Sequence, residues 1–294
     1  MNSGLLFAAA AYGLWGIFPL YFRLLQNVPA LELVAHRVFW SFLLLAIILT
    51  FSQSWKSFRQ EFSKPRTILL HLASSLMIGA NWLIYVWAVN SNQVVESSMG
   101  YFLNPLLTIV LGVLVFHERL RSIQWFSVAL AGVGIVVLAL VHGRIPWVAL
   151  SLALTFGLYG LLKKLAPIQA TFGLFLETIY LLLPAIAYLA FGLKSGNSAW
   201  TSVPISTHLF LVGTGLVTMI PLLLFALACA RIPLSQLGFM QYITPTIQFL
   251  LGVFLYHEPF LRPMQISFAC IWIALALNWI PVRKTRGTLI SETI

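Results

Sequence analysis

The chain is a series of long apolar runs separated by short polar breaks, not an alternation of strands or the one-sided stripe of a soluble helix. Windows of about 20 apolar residues, the length that crosses a hydrocarbon core of roughly 30 Å, recur at 4–22, 31–51, 67–89, 97–116, 122–141, 145–162, 171–191, 206–228, 234–256 and 263–281. The pattern predicts an all-α membrane protein of ten transmembrane helices. The first window has the apolar run and small residues of a signal peptide but no basic segment before it, and it is expected to be the first span. The longest breaks are Ser52 to Arg66, which is basic, and Gly192 to Pro204, which carries Ser, Gly and Asn.

The pattern also repeats. Asn104 and Pro105 are answered 140 residues later by Thr244 and Pro245, Leu111, Gly112 and Val113 by Leu251, Gly252 and Val253, and His117 and Glu118 by His257 and Glu258. Gly13 to Gly16 echoes Gly157 to Gly160 at an offset of 144. Leucine matches carry little weight in such a chain, but coincident Pro, Gly, His and Glu at one offset indicate duplication. Halves with an odd number of spans, five each, must enter the membrane from opposite sides. The expected organisation is two inverted five-helix repeats, 1–143 and 144–282, followed by a cytoplasmic tail, 283–294. Inverted repeats are a carrier architecture, with the binding site near the midplane between the halves.

Composition agrees with the bilayer reading and orients it. With 60% hydrophobic and 8% charged residues and a mean hydropathy of +0.95, the chain lacks the polar surface of a soluble domain. The net charge of +10 would suggest nucleic acid in a soluble chain, but here the basic residues sit between apolar runs. Twelve of them, from Lys56 through Lys163 and Lys164 to Arg286, fall on one side, and Arg23, Arg144, Lys194 and Arg262 fall on the other. That bias predicts cytoplasmic N- and C-termini in a bacterial inner membrane. There is no Asp, and Cys229 and Cys270 lie in apolar stretches, where a small buried hydrophobe is expected rather than a disulfide. His117 with Glu118 and His257 with Glu258 resemble half of a zinc-binding helix, but Arg121 and Leu261 stand where the second histidine belongs, so helix-start capping is expected and no metal or cofactor.

Intramembrane polar groups are expensive and mark function by default. Pro105 and Pro245 sit mid-span at matching places and should bend the fourth and ninth spans. Around them stand Tyr101, Asn104, Gln241, Tyr242 and Thr244, while Asn81, Trp82 and Tyr85 form a mixed polar and aromatic face on the third span that could stack a planar substrate. The alternative is that the polar groups simply join helices. Arg37 and Glu177 fall within spans, 140 residues apart, each about 9 Å deep but from opposite faces. That leaves about 12 Å of depth between them. Arg37 is therefore expected as an anion or dipole anchor in the outer half of a cavity, and Glu177 as a proton- or cation-binding group in its inner half. The competing readings are a snorkelling Arg37 beside His36 and Glu32, and local pairing of Glu177 with Lys163 or Lys164.

Several stretches resemble the EamA type of the drug/metabolite transporter superfamily, most closely its RarD branch. They are Gly13 to Gly16 with Pro19 to Phe22, Glu32 to Arg37 with Trp40 and Ser41, Asn81 and Trp82 with Tyr85 to Asn90, Gly100 to Pro105, Glu177 with Thr178, and Leu237 to Phe239 with Gln241, Tyr242, Pro245 and Thr246. The resemblance implies ten helices, two EamA repeats and export or exchange of small metabolites by alternating access. The expected function is secondary transport of a small organic metabolite or drug, with membrane lipid as surroundings, protons as a candidate coupling ion, no nucleic-acid partner and a monomer or homodimer as the working unit. A lipid-modifying membrane enzyme would need a catalytic cluster that the sequence lacks, and a non-transporting structural subunit is the remaining rival.

Overall fold

The computed structural model describes residues 3–91, 94–142, 145–166, 168–257 and 262–278, and all regular structure among them is helical. In chain order the helices are α1 (Ser3–Phe22), α2 (Ala30–Phe51), α3 (Trp55–Phe62), α4 (Pro65–Asn90), α5 (Val94–Phe116), α6 (Ser122–His142), α7 (Trp147–Leu165), α8 (Ala170–Lys194), α9 (Ile205–Cys229), α10 (Leu234–Gln241), α11 (Ile243–Leu250) and α12 (Arg262–Asn278). Seven described stretches are long and apolar enough to cross a membrane, and shorter apolar helices run over Gly100–Phe116 and Ser122–Val137. The expected junction at 143/144, the tail 283–294 and Glu258 lie outside the described residues.

Local chemistry sets the helix ends. Pro29, Pro146, Pro204 and Pro233 stand at the N-caps of α2, α7, α9 and α10, where a missing amide hydrogen costs nothing because the first turn has no acceptor for it. Four helix exits turn through left-handed residues: Gln53 and Gly196 just after α2 and α8, His117 just after α5, and His257 just beyond the turn that follows α11. These four fall into two pairs, 143 and 140 residues apart, close to the 140-residue offset at which the side-chain pattern recurs.

The segment Ser52 to Arg66, expected as a loop, holds the short helix α3, whose Phe58 is buried against Trp55, Phe172 and Phe175 while its polar side faces out. Its eight residues, with four charged or amide side chains, are too few to leave a span-like signature. The two prolines also behave differently. α5 runs unbroken through Pro105, whereas the apolar stretch Leu234–Leu255 is divided at Tyr242 into α10 and α11 and closes in a π-helical turn over Leu251–Leu255.

The principal packing pairs are α6 with α12, α5 with α7, α4 with α7, α2 with α8 and α9, α5 with α10, α1 with α9 and α11, and α4 with α8. This set maps onto itself when α1 exchanges with α7, α2 with α8, α4 with α9, α5 with α10 and α11, and α6 with α12. Close approach depends on glycine at two crossings. A Cβ on Gly238 would lie 2.7 Å from the Pro105 carbonyl oxygen, and one on Gly215 would lie 2.8 Å from the Trp40 carbonyl carbon. Outward, Leu114, Leu140, Leu183, Phe191 and Phe254 stand exposed, an apolar surface suited to acyl chains.

Candidate functional site

A cavity of about 190 Å³ opens among α1, α2, α4, α5, α7 and the broken α10–α11 segment. Its wall on α1 is Tyr12, Trp15, Phe18, Pro19 and Phe22, with Leu152 and Phe156 from α7. Asn81, Trp82 and Tyr85 enter from α4, Gly100, Tyr101 and Asn104 from α5, Arg37 from α2, and Gln241, Thr244, Pro245 and Gln248 from α10–α11. The spacings of 81, 82 and 85, and of 241, 244, 245 and 248, are those of one helical face, which is why these residues converge.

Most of the lining amides and hydroxyls are spoken for. Asn81 Nδ2 donates to the Leu152 carbonyl and to Thr155 Oγ1, both at 2.9 Å. Thr244 Oγ1 donates to the Tyr12 carbonyl at 2.8 Å, and Gln248 Nε2 to the Trp15 carbonyl at 3.3 Å. Thr108 donates to Gln241 Oε1 at 3.3 Å across the α5–α10 contact. These bonds join helices and also expose polar edges to the cavity, so the two roles weighed from sequence coexist. Asn104 and Tyr12 differ: both are buried, and among the described residues neither Asn104 Oδ1 nor Tyr12 Oη has a hydrogen-bond partner.

Arg37 does not snorkel. Its Nε donates to Thr218 Oγ1 at 2.9 Å, and its guanidinium lies 4.6 Å from the Trp82 ring centre and 5.5 Å from that of Phe22. Among the described residues no carboxylate pairs with it, and the residue lines the cavity. A second cation within ~4 Å of it would cost ~4 kcal/mol at an effective dielectric near 20, against at most ~2 kcal/mol returned by a ring face. A positive charge held there favours an anion over a cation beside it.

Three expected residues lie elsewhere. Tyr242 is buried with Phe102, Leu106, Leu130 and Ala131, because one residue past Gln241 is a rotation of about 100° to the far side of the helix. Pro105 faces the α5–α10 crossing beside Gly238 and does not line the cavity. Glu177 sits in a separate buried cluster: Lys163 Nζ lies 2.8 Å from Oε1, His71 Nδ1 3.1 Å from the same oxygen, and Tyr159 donates to Oε2 at 3.2 Å, with Ser74 also donating. The local pairing with Lys163 weighed from sequence is the arrangement found, and Lys163 is buried, not a loop charge. His71 and Ser74 went unremarked in the sequence, although an imidazole and a hydroxyl three residues apart in an apolar span were a readable signal.

Aromatic rings separate the cavity from this cluster. Trp15 packs on Phe156 at 5.7 Å and on Phe225 at 5.6 Å, and Tyr159 stacks on Phe225 at 5.7 Å. A void of only about 10 Å³, room for roughly one water, lies between Arg37 and Glu177. The same side of the molecule is clasped further. Glu118 caps α10, accepting from the Leu234 and Ser235 amides at 2.7 and 2.8 Å, so the expected capping role is found on a helix of the other half rather than on α6. Lys164 donates to the Cys229 and Ile232 carbonyls, where α9 ends.

Comparisons with known proteins agree in kind. The EamA-like transporter family profile matches residues 2–140. The chain is 45% identical to an uncharacterized transporter of Vibrio cholerae, covering 94% of this chain and 91% of that one. It is 42% identical to the uncharacterized transporter YojE of Bacillus subtilis and 42% identical to protein RarD of Escherichia coli, in each case covering 94% of this chain and 93% of the relative. A solved crystal structure shares the fold with a TM-score of 0.71 at 19% identity, covering 94% of this chain and 96% of that one.

Proposed function

This chain belongs to the EamA-like transporter family, alongside relatives named RarD, and on that premise we propose that it is a secondary carrier of a small organic molecule working by alternating access. The observation that carries the reading is a polar-edged cavity deep among membrane-crossing helices, walled by α1, α2, α4 and α5 together with α7, α10 and α11. A structural subunit gains nothing from a hollow that leaves Arg37 and Asn104 Oδ1 without full partners, since each unmet polar group in lipid is costly.

In our reading the architecture is ten spans in two inverted repeats, 1–143 and 144–282, in the inner membrane with both termini cytoplasmic. The self-mapping packing pairs, the paired left-handed residues and a family match that ends at residue 140 support it. With that orientation the cavity lies in the outer half. The aromatic layer, the Glu177–Lys163 cluster, the Glu118 cap and the Lys164 clasp close the inner half. Transport requires these to part while the outer ends of α1, α2, α4 and α5 draw together.

Proton coupling would fall to Glu177. With four partners in this state, its carboxylate can take a proton only as Lys163 and Ser74 withdraw, which ties protonation to inner opening. The test is flux of a metabolite library in proteoliposomes with and without a pH gradient. At least one small organic solute should move, and Arg37→Ala and Glu177→Gln should each lower its flux tenfold or more while the protein elutes as a folded species. Wild-type flux in both variants would reject the site, and no flux of any solute through folded protein would reject the carrier.

A further inference from the structure

We propose that the cavity selects a small planar organic monoanion, a carboxylate on a single ring bearing one neutral hydrogen-bond donor, and discriminates against the matching neutral and cationic molecules. The inference deepens the carrier reading and rests on it. Three observations carry it, each concerning what the cavity leaves unsatisfied.

The first is charge. Arg37 is held at its Nε by Thr218 and lies over the Trp82 ring, and the outer N–H pair of a guanidinium is a fork that meets a carboxylate bidentately. No described carboxylate lines the cavity, so one positive charge is uncompensated and a ligand carrying one negative charge neutralises it. A zwitterion would bring an ammonium that finds no counter-ion there.

The second is polarity. Asn104 Oδ1 is an acceptor without a donor, on a residue that is 6% exposed and lines the same cavity. A hydroxyl or amide N–H satisfies it. A carboxylate oxygen, which is acceptor-only, is repelled by it, so Arg37 and Asn104 call for opposite groups on a ligand.

The third is size and shape. About 190 Å³ falls below the roughly 300–1,000 Å³ of sites for drug-sized ligands, which excludes large multi-ring compounds. The rings of Trp15, Trp82, Tyr85, Tyr101 and Phe156 supply flat apolar faces in the same wall, which suits a single planar ring.

The experiment is direct binding to the full chain in nanodiscs, read by quenching of tryptophan fluorescence and by thermal stabilisation. The probes are 4-hydroxybenzoate, its neutral isostere 4-hydroxybenzamide, the cation 4-hydroxybenzylamine and the donor-free benzoate. The expected order places 4-hydroxybenzoate at least tenfold tighter than the amide or the amine. Arg37→Gln should abolish that preference and Arg37→Lys, which keeps the charge without the fork, should retain part of it. Asn104→Leu should bring 4-hydroxybenzoate and benzoate to equal affinity. Equal or tighter binding of the amide or amine, an anion preference that survives Arg37→Gln, or binding of none of the four probes to folded protein overturns the proposal. Anion-selective binding without flux in proteoliposomes would sink the carrier reading and leave this inference standing. Flux of neutral or cationic solutes alone would do the reverse.

Discussion

Lys163 and Glu177 show how far a single pair can be pushed by its surroundings. Both are buried, and a buried ion pair loses about as much in desolvation as it gains in attraction, whereas stranding one member is far more damaging. Lys163→Met alone should therefore destabilise by about 3–5 kcal/mol, and the double variant Lys163→Met with Glu177→Leu should recover most of that loss. Thermal unfolding of the purified variants in one detergent measures both. Additive losses in the double variant would show that the pair is not the unit of the cluster. The same residues mark the limit of sequence reading. Position within apolar runs was enough to single out Arg37 and Glu177. Lys163 looked like a loop charge because it ends an apolar run next to Lys164, and only its contact with Glu177 of α8 shows which of the two adjacent lysines turns inward.

Among the elements, the span limits were readable because apolar length is set by the bilayer. The expected 122–141 and 206–228 meet helices at Ser122–His142 and Ile205–Cys229. What the pattern does not hold is continuity: Pro105 and Pro245 occupy matching places, yet only the ninth span breaks. We have no physical account of that difference beyond its neighbours, the π turn that follows α11 and the tight seat of Gly238 on Pro105. That seat gives a prediction. Gly238→Leu forces side-chain atoms into the α5 backbone and should cost at least the ~1–3 kcal/mol of an overpacked core, with a matching drop in the yield of monodisperse protein. The α10 cap gives another. Glu118→Ala leaves the Leu234 and Ser235 amides without their acceptor, a loss on the order of 1 kcal/mol. Thermal unfolding should show it, and an unchanged midpoint would mean the clasp adds nothing.

For the whole molecule, the decisive feature is asymmetry between two related ends. One end of the bundle is hollow and carries an unpaired cation, and the other is packed with rings and bridged by carboxylate and ammonium groups. A repeating pattern was legible at this scale because proline, glycine, histidine and glutamate recur at one offset, and nine of the expected site residues do meet in one cavity. Its orphaned groups, its dry floor and its present opening arise from contacts between helices far apart in sequence, which no local pattern records. A carrier must reach a second arrangement in which hollow and plug exchange ends. The most direct measurement is accessibility of a cysteine placed at Phe156, on the cavity floor, in a background with Cys229 and Cys270 replaced, probed with a membrane-impermeant thiol reagent in right-side-out and inside-out vesicles. The account predicts labelling from both faces, with bound ligand and pH shifting the balance between them. Labelling from a single face under every condition would contradict it.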